Sequence, residues 1–274
     1  MIRAVIFDVD DTLYLKGDYV RSGFRAIARW LATQNTQRDG RSLKWALTDG
    51  EWDLWNEYHN APDQAFNRYV ARWRQRNPTS KLLPEEMVSR MAEIYRGHQP
   101  EIQPCADVVD ALSELARHSL LAVFGDGDPT RQKRKLDALG LSHFFAKAVC
   151  TGDSPGWQKP QPDGFSALAE ALGVNPSECI YVGDDPELDF AGPQKLDMRT
   201  VRVRRLGGLH ESEEPEPGIG PELTLTNLSG LPDVVREMNV GIWAACRNGR
   251  SRTSADSVVH ILGLRELVRA YRPS

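Results

Sequence analysis

Short apolar runs alternate with helical patterns along much of the chain. Residues 2–7 are apolar apart from Arg3, as expected of a strand buried on both faces of a parallel sheet. The same pattern recurs at residues 120–124, 148–150, 179–182 and 200–203. Because helical patterns separate these runs, we predict an α/β fold with a doubly wound, Rossmann-like and mostly parallel sheet.

Helix boundary signals support this alternation. Asp128 and Pro129 form a helix start, with aspartate as N-cap and proline in the first turn, and Gly140 is placed to end that helix. A second helix is predicted over residues 162–172, with Gly173 directly after it. Ligands of such sheets bind beyond the carboxyl ends of the strands, so that edge is the place to look for a site.

Residues 15–98 have a different pattern, without a convincing strand. Apolar residues recur there at steps of three and four, as in an amphipathic helix: Val20, Phe24, Ile27, Ala28 and Leu31. Helical stretches follow at about residues 42–58, 63–76 and 84–96. We predict an all-helical domain over 15–98, inserted into a core formed by 1–14 and 99–205. Most of its five tryptophans should pack in its own core: Trp30, Trp45, Trp52, Trp55 and Trp73.

Residues 206–274 are predicted to form a C-terminal extension that packs on the core. Its first part, up to Glu222, is rich in Gly, Pro and Glu and should be a loop. A final helix is predicted over 254–270, in a tail with six arginines and two acidic residues. A solvated basic face is favoured there over a partner-binding role. The inserted domain and this helix are the candidate surfaces for a homodimer.

Composition excludes several classes of function. The 274 residues are 41% hydrophobic and 26% charged, which is ordinary for a globular protein. A formal charge of −4 gives no attraction for nucleic acid or an anionic membrane. No apolar run approaches the roughly 18 residues of a membrane span, and acidic residues follow the N-terminus too soon for a signal peptide. The four cysteines are scattered, which favours a reducing cytoplasm.

Three polar clusters follow predicted strands. The first is Asp8, Asp10 and Asp11, three carboxylates within four residues. Crowded carboxylates repel one another unless a cation neutralises them. The second is Lys159, which follows a strand and a Gly-rich loop, and the third runs from Asp184 to Asp189. Three such clusters at strand ends predict one shared site.

These clusters resemble the motifs of the haloacid dehalogenase superfamily, in particular its phosphatase branch. The first motif stands here as Asp8-Val9-Asp10-Asp11-Thr12, the third as Lys159-Pro160, and the fourth as Gly183-Asp184 with Asp189. The similarity spans residues 1 to about 205. The inserted helical domain matches the family's cap, which lies between its first and second motifs.

The resemblance implies a Mg²⁺-dependent phosphatase acting on a small phosphorylated metabolite, for which a sugar phosphate is one candidate. Asp8 would be the nucleophile that forms an aspartyl-phosphate, Asp10 the general acid and base, and Lys159 the cation beside the phosphoryl oxygens. Asp8, Asp10 through its backbone carbonyl, and Asp184 would hold the metal. Asp189 is included among the candidate ligands, although orientation of water or of Lys159 is favoured for it over contact with the metal.

The second motif departs from the family pattern. Thr or Ser is normal at its phosphate-binding position, but the alignment places Gly125 there, followed by Asp126. The backbone N–H groups of these two residues are the remaining candidate phosphate donors, with Thr130 and Thr151 as substitutes for the hydroxyl. A Gly125→Thr substitution is then expected to raise the rate. The missing hydroxyl also motivates another interpretation, a phosphate-binding pseudoenzyme with impaired catalysis. A phosphomutase is a separate alternative, which would need a cap able to hold two phosphate-bearing positions.

Overall fold

The computed structural model describes residues 1–34, 50–58, 64–76 and 82–240. A six-stranded sheet runs through them, with the order β3-β2-β1-β4-β5-β6 and parallel pairing throughout. Its strands are β1 Ala4–Phe7, β2 Leu120–Gly125, β3 Lys147–Cys150, β4 Cys179–Gly183, β5 Arg199–Val203 and β6 Leu223–Leu225. The order reverses at β1, from which the chain winds in both directions, and this confirms the predicted doubly wound α/β sheet.

The five predicted strands all form. The sixth, β6, was not predicted, because its three residues are too few to show a pattern. It pairs with β5 at the edge of the sheet and extends the sheet beyond residue 205. Part of the predicted C-terminal extension therefore belongs to the sheet.

The helices lie between the strands and after them. They are α1 Lys16–Gln34, α2 at residues 50–58, α3 Ala65–Arg76, α4 Pro84–Gly97, α5 Val108–Leu115, α6 Pro129–Ala138, α7 Asp163–Leu172, α8 Ala191–Lys195 and α9 Leu231–Asn239. Asp128 caps α6, since its side chain accepts a hydrogen bond from the backbone N–H of Arg131. Gly173 ends α7 in the left-handed conformation, at φ 67°. Both predicted helix boundaries are thus confirmed.

One apolar core lies between the sheet and α7. Phe165 of α7 contacts Phe124 of β2 and Tyr181 of β4, with ring centroids 4.7 Å and 4.9 Å apart and near-perpendicular planes. Edge-to-face contacts of this kind stabilise a core beyond the area they bury. They hold β2 and β4 in place on either side of β1, which fixes the strand ends where the site lies.

A second apolar cluster joins the helices between β1 and α5. The five periodic positions of α1 are all at most 3% exposed, which confirms the predicted amphipathic helix. The described residues from 16 to 97 contain helices and no strand. Trp30, Trp55 and Trp73 pack against this cluster, whereas Trp52 is 62% exposed. Trp45 lies outside the described residues.

The chain divides into two compact units, residues 1–233 and residues 234–274. The predicted helix at 254–270 lies outside the described residues. The division of the first unit into a core and an inserted domain at 15–98 stays a prediction. In the ranges that the structure describes, no helix is long and apolar enough to cross a bilayer.

Candidate active site

The carboxyl ends of β1 and β4 meet at one edge of the sheet. Phe7 pairs with Val182 in the parallel register, and the backbone N–H of Asp8 donates to the carbonyl of Val182 at 2.8 Å. Asp8 and Asp184 therefore leave their strands side by side. A cavity of about 120 Å³ opens there, lined by Asp8, Asp10, Asp11, Lys16, Asp126, Asp184, Asp185, Leu188, Asp189 and His210.

Lys159 joins three of the carboxylates at this edge. Its Nζ lies 2.7 Å from Asp8, 2.9 Å from Asp189 and 3.0 Å from Asp126, and its side chain is 1% exposed. Burial lowers the pKa of Lys159, but Asp189 and Asp8 outweigh burial and raise that pKa well above its usual value. Lys159 is therefore a fixed cation beside the predicted nucleophile.

Asp189 is saturated by protein donors. Its Oδ1 accepts from Lys159 Nζ at 2.9 Å and from the hydroxyl of Tyr181 at 3.0 Å. Its Oδ2 accepts the backbone N–H groups of Asp184 at 3.0 Å and Asp185 at 2.9 Å. A Cβ at Gly183 would lie 2.3 Å from the same oxygen, so glycine is required there. Of the two roles predicted for Asp189, these contacts favour orientation of Lys159 over coordination of a metal.

Negative charge is in excess at the floor of the cavity. Burial raises the pKa of Asp8 well above its usual value, with contributions from Asp189 and Asp126, although Lys159 opposes the shift. The pKa of Asp184 is likewise raised well above the usual range, by burial, by Asp189 and by Asp8. A hard divalent cation would relieve this repulsion.

The carboxylates of this cavity fit Mg²⁺ better than they fit a metal ion that is coordinated by protein side chains alone. Within the described ranges, no three His, Cys, Asp or Glu side chains form a metal-binding group. Mg²⁺, however, is commonly bound through one or two carboxylates and keeps several waters. Asp8 and Asp184 can supply those carboxylates, since both line the cavity and the pKa of each is raised, a shift that a bound cation would oppose.

Asp10 is held by two residues that the sequence did not single out. Lys135 Nζ lies 2.7 Å and 2.8 Å from its two carboxylate oxygens, and the Tyr14 hydroxyl donates to Oδ1 at 2.5 Å. Burial raises the pKa of Asp10, but Lys135 and Lys16 more than offset this and lower it overall. The predicted acid and base is thus embedded in a positive environment.

A sequence signal for Lys135 existed. The buried residues of α6 and its end follow the steps i, i+3, i+4 and i+7: Gln132, Lys135, Leu136 and Leu139. Lys135 therefore occupies an apolar-face position of the helix. A lysine at such a position needs an anionic partner, because burying an unpaired charge is costly.

The second motif has glycine at the end of β2. Gly125 ends the strand, and the side chain of Gln132 lies beside it and donates to the carbonyl of Asp126. The buried hydroxyl of Thr151 accepts from the backbone N–H of Gly127 at 2.8 Å, which ties this turn to the end of β3. Thr130, the other candidate donor, is exposed.

The segment after β5 forms a further wall of the cavity. Asp11 adopts a left-handed backbone, at φ 53°, and its Oδ2 accepts the backbone N–H of Leu209 at 3.0 Å. The buried guanidinium of Arg202 donates to the carbonyls of Asp184 at 3.0 Å and His210 at 2.7 Å. His210 is thereby placed on the cavity. The sequence predicted this segment only as a loop.

Comparison with known proteins gives the family. Residues 2–197 match the model of the haloacid dehalogenase-like hydrolases. The chain belongs to this family. The predicted family and hydrolase class are therefore confirmed, and the parallel sheet is the family's fold.

Relatives within the family are phosphatases of small molecules. Glyceraldehyde 3-phosphate phosphatase of Methanopyrus kandleri is 30% identical over 245 residues, which cover 87% of this chain and 99% of that protein. N-acylneuraminate-9-phosphatase of Rattus norvegicus is 31% identical over 240 residues, which cover 79% of this chain and 88% of that protein. A solved haloacid dehalogenase-like structure with the same fold is the putative hydrolase YfnB from Bacillus subtilis, bound to magnesium. It is 18% identical, has a TM-score of 0.57, and covers 85% of this chain and 98% of its own.

Proposed function

We propose that this hydrolase is a Mg²⁺-dependent phosphatase that cleaves a small phosphomonoester through an aspartyl-phosphate on Asp8. The observation that carries the proposal is the 2.7 Å contact between Lys159 and Asp8, with Asp184 beside it at the same strand edge. A buried cation in contact with one carboxylate of an acidic pair suits a phosphoryl group, whose oxygens need positive charge beside them. The relatives named above are both phosphatases, although their substrates differ.

In the proposed reaction the carboxylate of Asp8 bonds to phosphorus and the bond to the substrate's leaving oxygen breaks. Asp10, which its two lysine neighbours keep ionised in the free site, takes the proton that the phosphomonoester monoanion brings and passes it to that oxygen, which departs as an alcohol. A water molecule then attacks the aspartyl-phosphate while Asp10 takes up its proton, and inorganic phosphate and free Asp8 are released. Lys159 supports both steps, because it orients Asp8 and faces the charge that develops on the phosphoryl oxygens.

Asp8, Asp184 and the backbone carbonyl of Asp10 are the proposed holders of Mg²⁺. When bound, the ion would neutralise negative charge on the phosphoryl oxygens and on the two carboxylates. The excess of buried negative charge supports this assignment. The location in the cytoplasm and the homodimer surfaces stay predictions.

Phosphate release from a panel of phosphomonoesters tests the proposal. The purified protein is assayed with p-nitrophenyl phosphate and with sugar phosphates and other small phosphorylated metabolites, in Mg²⁺ and in excess chelator. We expect turnover that needs Mg²⁺ and that prefers one group of the panel. Equal activity in chelator would contradict the metal assignment.

A phosphate-binding protein without turnover is the alternative, and the glycine at position 125 is the observation that favours it. Backbone N–H groups alone would then bind the phosphoryl group. Under this alternative, Mg²⁺ and inorganic phosphate raise the melting temperature while no panel member is hydrolysed. Measurable turnover that Asp8→Asn abolishes would exclude it.

A further inference from the structure

Lys135 is a buried lysine whose charge is directed at a single carboxylate. Its side chain is 5% exposed, and its Nζ contacts both oxygens of Asp10, at 2.7 Å and 2.8 Å. The hydroxyl of Tyr14 donates to one of the same oxygens at 2.5 Å. Two contacts from one ammonium, with a third from the phenol, restrict rotation of the Asp10 carboxylate.

Lys135 is itself held on its other sides. Its Nζ lies 4.7 Å from the ring centroid of Tyr19, a buried side chain of α1, within the range of a cation–π contact. On the same helix, Arg134 donates to the carbonyls of Arg96 at 2.8 Å and His98 at 3.2 Å. These contacts fix α6 at the position of Lys135, so the lysine is a firm support for Asp10.

A second cation competes for the same carboxylate. Lys16 at the start of α1 lines the cavity together with Asp10. Asp10 therefore shares its surroundings with one lysine on α6 and another on α1. The short contacts are to Lys135, which sets the direction in which the carboxylate points.

We propose that Lys135 is a positioning residue, which holds the carboxylate of Asp10 in the orientation from which it serves the leaving oxygen. This inference rests on the proposed function, in which Asp10 gives a proton to that oxygen. A misplaced general acid slows the cleavage of substrates whose leaving group must be protonated. A salt bridge that only stabilises the fold would slow all substrates alike.

Two leaving groups separate these roles. An alkyl phosphomonoester must be protonated as it departs, whereas p-nitrophenolate departs without a proton. For Lys135→Met we expect kcat/KM for the fastest alkyl substrate to fall about 10- to 100-fold, as for impaired general acid catalysis. For p-nitrophenyl phosphate we expect a decrease of less than about threefold. The parameter kcat/KM is chosen because it reports the first chemical step.

Lys133→Met is the matched control. Lys133 lies on the same helix and is 76% exposed. Its Nζ lies 2.6 Å from the carboxylate of Asp137, and neither residue lines the cavity of the site. The same substitution there is expected to leave both activities unchanged. An equal loss for both substrates in Lys135→Met would overturn the positioning role.

A double variant keeps the test valid where the single variant does not fold. Asp10→Asn combined with Lys135→Met removes both charges, so no buried charge is left unpaired. Because Lys135 acts through Asp10, the ratio of alkyl to aryl activity should equal that of Asp10→Asn alone. A ratio that is lower in the double variant than in Asp10→Asn would overturn the inference, since Lys135 would then act on the substrate itself. Absence of all phosphatase activity in the wild-type protein would instead overturn the proposed function, and the role of Lys135 with it.

Discussion

The side chain of Gln132 fills the space beside the α-carbon of Gly125. A Cβ added at Gly125 would lie 3.2 Å from Cδ and Oε1 of Gln132 and equally close to Cγ2 of Val9. Gln132 is 6% exposed and has little room to retreat. Position 125, where the family usually has a hydroxyl, is thus packed by a side chain from α6. A threonine at this position is therefore no longer expected to raise the rate by itself.

Gly125→Thr is expected to destabilise the protein by about 1–3 kcal/mol, because it overpacks this contact. A gain in rate should appear only where the glutamine is also shortened, in Gly125→Thr with Gln132→Ala. Thermal unfolding and kcat for p-nitrophenyl phosphate check both statements, with Gln132→Ala alone as the control. A higher rate in the single Gly125→Thr variant would show that Gln132 yields easily.

Asp8→Asn is expected to lower phosphate release by at least about 1,000-fold, because an amide does not form the acyl-phosphate bond. Steady-state assays with Mg²⁺ measure the loss. Asp18→Asn is the matched control, since Asp18 is an exposed residue of α1 and should tolerate the change. Activity that persists in Asp8→Asn would disprove the nucleophile assignment.

Asp184→Asn and Asp189→Asn are expected to differ in stability in the absence of metal. Replacing Asp184 removes repulsion from Asp189 and Asp8, so the melting temperature should stay level or rise. Replacing Asp189 removes a carboxylate that accepts four hydrogen bonds, which should lower the free energy of unfolding by about 1–3 kcal/mol.

Addition of Mg²⁺ should then separate the two variants further. Asp184→Asn should lose the increase in melting temperature that Mg²⁺ gives the wild-type protein, because it lacks a proposed ligand. Asp189→Asn should retain part of that increase. If Mg²⁺ stabilises Asp184→Asn as strongly as the wild-type protein, Asp184 is not a ligand.

Without metal, stability should depend on pH through Asp8 and Asp184. Their pKa values are raised by burial and by neighbouring carboxylates, so the folded protein binds more protons than the unfolded chain above about pH 4. The free energy of unfolding should therefore fall as pH rises from about 4 through the raised pKa values. Thermal unfolding in chelator should show a smaller decrease for Asp184→Asn, and saturating Mg²⁺ should flatten the wild-type curve. A wild-type curve that rises over this interval would contradict the prediction.

Much of the fold follows from local sequence patterns. Buried strands such as residues 179–182, and the boundaries marked by Asp128 and Gly173, are visible because strand burial and helix capping depend on adjacent residues. β6 was not predicted, since three residues are too few to show a period. The strand is defined by its pairing with β5. The motif residues Asp8 and Asp184 were found for the same local reason, as acidic residues placed after apolar runs.

The sequence by itself therefore determined the order of the elements, the strand edge where the acidic residues gather and the family that these motifs identify. Only the tertiary structure decided which partner each charged group takes. Lys135 and Asp10 are 125 residues apart, and Leu209 and Asp11 are 198 apart. Contacts between such distant positions leave no local period or spacing, because they arise only when α6 and the segment after β5 pack against the end of β1. The pairing of Lys135 with Asp10 comes from that packing, whereas the contact of Gln132 with Gly125 comes from the return of α6 onto the end of β2.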